Sequence, residues 1–314
     1  MSTEKSITAI TLNPCIDRTL TVDHLSAGEH HVARQVQETV AGKGIDVNVV
    51  LRHLDIPTLS VGFEFTQKGT PVADFLNAEG IPFKMHPIDA VLRVNTKIFD
   101  AQFRQMTEIN CKGPRLGTEA EDAFLRLLDE ALPITAILVL SGSVPPGLSD
   151  DLYARCIKKA QEKNIPTVLD ATGALLLNGI QAQPTVIKPN RHELEELLNV
   201  QLDSTEKCIR ACRALIDKGI RAVCLTLGGD GALMVGRDEV WFSEGVPIQV
   251  KGVQGAGDSV VAGICAAMRK DLPMQEWLHY GVAAAHASLI REGTLLCKKE
   301  DFDAFLPQIP IRKL

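Results

Sequence analysis

Asp258 stands inside a turn of small residues, Gly255-Ala256-Gly257-Asp258-Ser259, that runs directly into the apolar stretch 260–264. Small residues let a ligand come close to the backbone, and the helix expected to follow aims unpaired N–H groups and the positive end of its dipole at it. That arrangement suits a phosphate group in transfer. An aspartate in such a turn would repel the phosphate, so its position suggests a different task, taking the proton from an attacking hydroxyl. A plain Gly-rich turn capped by an aspartate fits this segment equally well, since short glycine motifs match by chance often.

Other polar positions punctuate the chain at regular intervals. Asp17 follows a short apolar strand and the helix-breaking Pro14 in Thr11-Leu12-Asn13-Pro14-Cys15-Ile16-Asp17, so it should project from a strand end into a cleft, where a carboxylate accepts hydrogen bonds from hydroxyls. Gly42-Lys43-Gly44 opens an amphipathic helix through Val47, Val50, Leu51 and Leu54, and Lys43 adds a full charge to its anion-binding end. Arg93 and Asn95 share one face of a β-like alternation. Ser141 lies in Leu140-Ser141-Gly142-Ser143-Val144-Pro145-Pro146-Gly147, and Lys188 begins Lys188-Pro189-Asn190-Arg191-His192-Glu193. Thr226, Gly228 and Gly231 form a strand-turn segment, placed where α/β sheets hold ligands, at the carboxyl end of a buried strand.

In content and order these motifs resemble the ribokinase-like (PfkB) sugar kinases, and most closely the branch of 1-phosphofructokinase and tagatose-6-phosphate kinase. The resemblance runs nearly end to end. It implies that Asp258 is the catalytic base and that the amides of Gly255, Ala256 and Gly257 form the anion hole. It implies an acceptor site of Asp17, Gly42, Lys43, Asp46, Arg93, Asn95 and Ser141, with Lys43 and Arg93 on a phosphate that the acceptor already carries. It implies a nucleotide site of Lys188, Asn190, Glu193, Thr226, Gly228 and Gly231, with Glu193 organising Mg²⁺ through water. The implied reaction is ATP-dependent phosphoryl transfer to a ketohexose phosphate, foremost fructose 1-phosphate giving fructose 1,6-bisphosphate. Tagatose-6-phosphate kinase and 6-phosphofructokinase are alternatives within the family, and a non-catalytic sugar-phosphate sensor is the alternative outside it. One departure bears on the acceptor: the branch usually has Asn where this chain has Asp46, which cannot donate when ionised and would repel a phosphate. Asp46 either faces the acceptor or caps its own helix.

The elements that must position these residues follow from patterning. From Leu132 onward short apolar runs (136–140, 166–170, 185–187, 222–227) alternate with helical patterns (151–162, 193–198, 208–216), the mark of a mostly parallel sheet sandwiched by helices. A helix begins near Thr118, where Glu121 three residues on predicts a capping box. Two segments, about 18–36 and 92–110, break this order with β-type alternation and read as antiparallel strands. Leu92, Val94, Thr96 and Ile98 fall on one face and Arg93, Asn95, Lys97 and Phe99 on the other. The resemblance makes them a small β lid inserted in a single domain spanning 1–314, through which two copies would form a homodimer.

Composition bounds the rest. With 314 residues and 45% hydrophobic content the chain builds a large core, and its net charge of −6 lacks the basic excess of a nucleic-acid surface. No membrane span or signal peptide is expected, and the eight cysteines, without Cys-x-x-Cys spacing, read as free thiols of a cytoplasmic protein. Cys208 and Cys212, one helical turn apart, lack the second pair that a metal site needs. His30 and His31 read as solvent-facing or lid residues.

Overall fold

The computed structural model describes residues 4–292 and 295–314. Strand β1 (Ser6–Thr11) leads into β2 (Cys15–Val22) and β3 (Gln35–Ala41), followed by α1 (Lys43–His53), β4 (Thr58–Gln67), α2 (Pro71–Ala78) and β5 (Phe83–Val91). Then come β6 (Arg93–Asp100), β7 (Gln105–Ile109), α3 (Thr118–Ala131), β8 (Thr135–Ser141), α4 (Leu152–Gln161), β9 (Thr167–Asp170), α5 (Gly173–Gln181) and β10 (Val186–Ile187). The chain continues through α6 (Arg191–Leu198), α7 (Thr205–Ile216), β11 (Ala222–Thr226), β12 (Ala232–Gly236), β13 (Val240–Ser243), α8 (Ala256–Arg269), α9 (Met274–Leu289), α10 (Lys299–Phe305) and β14 (Arg312–Lys313).

Among the described residues a ten-stranded sheet runs β14-β13-β12-β11-β10-β9-β8-β1-β4-β5. From β11 to β5 all neighbours are parallel, and β12, β13 and β14 extend one side antiparallel. The parallel strands are buried on both sides, which is why Ile7, Ala9, Ile10, Val139, Leu140, Val168 and Leu169 read as continuous apolar runs. Strand order reverses at β1, which lies between β4 and the later β8. This is the topological switch point at which open α/β sheets bind ligands. Helices α1 and α8 pack together over this region, and α8 packs along α9. Gly44 permits the approach: a Cβ there would lie 2.1 Å from the carbonyl oxygen of Ile10, so only glycine lets the first turn of α1 rest on the end of β1.

The two segments outside the alternation form a second, four-stranded sheet in the order β3-β2-β6-β7. The expected antiparallel pairing holds for β2/β3 and β6/β7, but the central β2/β6 pair is parallel. A hairpin cannot join parallel neighbours, and the chain indeed travels through α1, β4, α2 and β5 between them. Strand bounds differ as well, since β2 begins at Cys15 and β3 extends to Ala41.

The capping box expected at Thr118 is absent. Gly117 is the N-cap, without a side-chain cap bond. Glu121 is buried and accepts instead from the amide (2.7 Å) and hydroxyl (2.9 Å) of Ser149 and from Arg155. A loop amide and a guanidinium offer a buried carboxylate charge-assisted partners that outcompete its own helix end. Burial raises its pKa, but these partners prevail and hold it below the usual value.

Candidate active site

The site is assembled from strand ends. Asn13 follows β1, Ser141 ends β8, Asp170 ends β9, Lys188 follows β10, and Thr226 ends β11 where it bridges to Asn190. In register Ser141 lies beside Asp170. One position that sequence reasoning passed over, Asp170, organises this row. It is 1% exposed, sits 3.2 Å from Lys43 Nζ and 3.3 Å from Lys188 Nζ, and accepts a long bond (3.5 Å) from the Ser141 hydroxyl. Burial alone would raise its pKa, but the Lys188 and Lys43 ammonium groups outweigh burial and hold it below the usual carboxylate range.

The turn 255–259 forms the N-terminus of α8. Gly255 is the N-cap at φ 70°, left-handed backbone that disfavours a side chain, and a Cβ there would also meet Leu296 at 2.2 Å. Ser259 N is the first amide to reach a carbonyl in the helix, that of Gly255 (2.8 Å), which leaves those of Ala256, Gly257 and Asp258 pointing out of the helix end. Lys188 extends over this end: a Cβ at Gly257 would lie 3.6 Å from its Nζ. Amides, helix dipole and ammonium thus converge on one anion-binding point.

Two cavities meet at this helix end. One, of about 340 Å³, is lined by Asp17, Lys43, Asp46, Asn95, Lys97 and Asp258 among others, with Gly42, Arg93 and Gly255 also in its wall. The other, of about 420 Å³, lies on the far side of Ala256 and Gly257; it is lined by Asn190, Thr226, Gly228 and Gly231 and by a mostly apolar wall that includes Val250, Val260 and Leu289. Ser141 lies in an adjoining cavity of about 320 Å³ that shares Gly42, Lys43, Arg93 and Asn95 with the first. All the predicted site residues therefore surround one stretch of cleft, except that Lys188 lines none of these cavities and approaches only through its ammonium at the helix end, and Glu193 lines a separate recess beside Thr172 and Gly173. Asn190 and Glu193 form a reciprocal capping box on α6, with the Glu193 amide donating to Asn190 Oδ1 (2.8 Å) and the Asn190 amide donating to Glu193 Oε2 (2.9 Å).

The lid forms the floor of the first cavity. The parallel β2/β6 register sets Asp17 against Asn95, and Asn95 Nδ2 donates to Asp17 Oδ1 at 3.0 Å. Lys97 Nζ donates to Asp17 Oδ2 at 2.6 Å. Lys97 was predicted only as a lid residue; period-two spacing from Asn95 was the signal that could have marked it as part of the site. The alternation in 92–99 is confirmed, and the polar face is the one turned inward. Arg93 is more constrained than expected, because its guanidinium donates to the carbonyls of Asn13 (2.7 Å), Pro14 (3.2 Å) and Cys111 (2.7 Å). Cys15 donates to Asp17 Oδ1 at 3.3 Å, and burial, then the Asp17 charge, push its thiol up to about 12.

Asp46 does not cap its helix. It lies in the wall of the first cavity together with Asp258, and each carboxyl perturbs the other's titration. Burial pushes Asp258 up to about 6, opposed by Lys43 and Lys188 and reinforced by Asp170. For Lys43, burial would lower the pKa, but Asp170, Asp258 and Glu193 raise it, so it stays cationic. The arrangement presents a carboxylate that titrates near neutrality on one side of an anion-binding helix end, with an apolar cavity on the other side.

A family model described as pfkB family carbohydrate kinase matches residues 10–301. The 1-phosphofructokinase of Bacillus subtilis (strain 168) is 30% identical over 308 residues, which cover 98% of this chain and 100% of that protein. The structure of phosphofructokinase-2 from Escherichia coli in complex with potassium has a TM-score of 0.90 at 24% identity, covering 97% of this chain and 99% of the other. Arabidopsis thaliana ribokinase, complexed with ribose and ATP, has a TM-score of 0.80 at 18% identity over 97% of this chain and 99% of its own. At these identities the two structures show a common architecture, the mixed α/β, ribokinase-like sheet expected from the sequence.

Proposed function

The chain belongs to the pfkB family of carbohydrate kinases, and we propose that it transfers the γ-phosphoryl group of ATP to fructose 1-phosphate, giving fructose 1,6-bisphosphate. The observation that carries this reading is the meeting of two cavities at the N-terminus of α8, with Asp258 facing one and Ala256 and Gly257 the other. Phosphoryl transfer asks the protein for alignment and charge neutralisation rather than covalent chemistry. Asp258 accepts the proton of the acceptor hydroxyl, whose oxygen attacks the γ-phosphorus as the bond to ADP breaks. The free amides of the turn, with Lys188 above them, take up the charge that develops on the transferred group. Asp17, oriented by Asn95 and Lys97, accepts from sugar hydroxyls. Lys43 supplies the cation for the phosphate already on the acceptor, while Arg93 mainly fixes the loops around it. The choice of fructose 1-phosphate is supported by the name of the Bacillus relative.

The residues present fit Mg²⁺ carried on the nucleotide rather than held in a protein cage. No cluster of three or more His, Cys, Asp or Glu suited to a metal occurs among the described residues. Glu193 commits one oxygen to the cap of α6 and leaves the other for a water of the ion's shell. When bound, the ion neutralises phosphate oxygens.

The outer face of the lid supports a homodimer. Its register aligns Val36, Leu20 and Ile98 in one row, and Val36 (56%) and Ile109 (55%) are exposed, an apolar sheet face that a second lid would cover. Among the described residues no helix is long and apolar enough to cross a membrane. All eight cysteines are free, which supports a reducing, cytoplasmic setting.

The test measures ADP release with fructose 1-phosphate, fructose 6-phosphate, tagatose 6-phosphate and fructose. The expected result is the highest kcat/KM for fructose 1-phosphate and a loss of about 10²–10⁴ in kcat for Asp258→Asn. Preference for unphosphorylated fructose, or an absence of turnover with every sugar, would overturn the reading.

A further inference from the structure

Asp46 projects from the first turn of α1 and Asp258 from the first turn of α8, and the two helices pack so that both side chains line the same acceptor cavity, each carboxyl close enough to perturb the other. Two carboxylates in contact do not both ionise near neutral pH, because like charges at that distance in a partly desolvated site repel too strongly. Asp258 is 8% exposed, and its Oδ1 has no N–H or O–H partner among the described residues. A buried acceptor without a donor is costly. A proton held between the two carboxyls gives Asp258 a donor that no other side chain or amide among the described residues provides to its Oδ1.

The surroundings decide which partner keeps the proton. Asp258 is faced by Lys43 from α1, by Lys188 at the end of β10 and by Asp170 at the end of β9. Two cations thus favour its ionised form. Asp46 is faced by Asp258 from α8, by Asp17 from β2 and by Lys97 from β6, with the neutral Cys15 thiol nearby. Its one cation, Lys97, is committed to Asp17 at 2.6 Å. Burial, Asp258 and Asp17 all drive the Asp46 pKa well above its ordinary value.

We propose that Asp46 is held as the neutral acid and donates a hydrogen bond to Asp258, so that the two work as a dyad sharing one proton, with Asp46 positioning the base. The inference rests on Asp258 being the base. In the reaction the acceptor hydroxyl gives its proton to Asp258, the new O–P bond forms as the bond to ADP breaks, and the dyad, now carrying two protons, releases one to water after product leaves. A neutral Asp46 also spares an incoming sugar phosphate a second negative charge. Above the pKa of Asp46 that advantage is lost, so the wild-type enzyme has an alkaline limb set by this residue.

The test is the pH profile, from about pH 5 to 10, of kcat/KM for fructose 1-phosphate in the wild type, Asp46→Asn, Asp46→Ala and Asp258→Asn, each checked for folding by circular dichroism. The wild type should fall off on both sides. Asp46→Asn keeps a donor that cannot ionise, so it should lose the alkaline limb and, relative to its own maximum, exceed the wild type at least about threefold at the alkaline end. Asp46→Ala removes the donor, and its acid limb should move to higher pH. An infrared carbonyl band of a protonated carboxyl should be present in the wild type at pH 7 and absent from Asp46→Asn. An alkaline limb retained in Asp46→Asn, or a wild type without the protonated band, would overturn the dyad. Asp258→Asn with wild-type kcat would overturn the base assignment, whereas an inactive Asp258→Asn beside an Asp46→Asn profile matching the wild type overturns the dyad alone.

Discussion

Replacing Asp170 by Asn tests whether the active-site row is held together by one buried charge. The carboxylate is 1% exposed and serves two ammonium groups, Lys43 Nζ at 3.2 Å and Lys188 Nζ at 3.3 Å. The amide keeps the shape and removes the charge, leaving Lys188, itself 5% exposed, without an anion. Breaking a buried pair from one side costs about 3–5 kcal/mol. Lys43, whose side chain is 38% exposed, recovers solvation, so the lower end of about 3 kcal/mol applies. At about 2 °C per kcal/mol for a chain of this size, Tm should fall by about 6 °C at pH 7. The Asp170 pKa is depressed in the folded protein, so its contribution is fully present above the unfolded value near 4. It is lost as pH falls through the folded value, which lies lower. Wild type and variant should therefore differ most near neutrality and converge in strong acid. Millimolar ATP should narrow the neutral difference, because the nucleotide phosphates return an anion to Lys188. Differential scanning fluorimetry across pH, with and without ATP, reads all three effects. An Asp170→Asn protein with wild-type Tm at pH 7 would refute the reasoning, since the two lysines would then need no buried counter-charge.

The remaining predictions separate the roles of neighbouring groups. Lys43→Ala should raise the KM for fructose 1-phosphate about 10- to 100-fold, the loss of a charge-assisted contact of about 1.5–3 kcal/mol. The KM for ATP should change little, because Lys43 lines the two acceptor-side cavities and not the nucleotide one; equal losses for both substrates would move it to the nucleotide side. Val36→Lys with Ile109→Lys should convert a dimer to a monomer in light scattering, and a wild type monomeric at micromolar concentration would remove the lid as an interface. Glu121→Ala should cost about 2 kcal/mol or more in chemical denaturation, as it strands Arg155 and the Ser149 amide, whereas Thr118→Ala should stay within about 0.5 kcal/mol.

Chemistry that depends on backbone was legible in the sequence, and chemistry that depends on long-range side-chain pairing was not. The turn 255–259 announced its helix end because small residues, an apolar run and an acid are all local signals. The strand ends at Ser141, Lys188 and Thr226 followed from the βα alternation. Asp170 looked like any strand-terminal aspartate, because its meaning lies in Lys43 and Lys188, 127 residues before it and 18 after it, which are brought to it by the start of α1 lying against the end of β8 and by the pairing of β9 with β10. The two capping motifs show the same limit from the other side. Thr118 and Glu121 had the right spacing, yet burial gave Glu121 to Ser149 and Arg155. Asn190 and Glu193, at the same spacing, closed a true box on the exposed start of α6, where nothing competed for the glutamate. The lid followed the same rule: period-two alternation fixed which residues share a face, but a parallel β2/β6 pair had to form before Lys97 could reach Asp17 and that face could become the floor of the site. Asp46 joins both halves of this argument. Its type marked it as unusual within the family, and only the packing of α1 against α8, which puts it in one cavity wall with Asp258, turns that oddity into a testable proton.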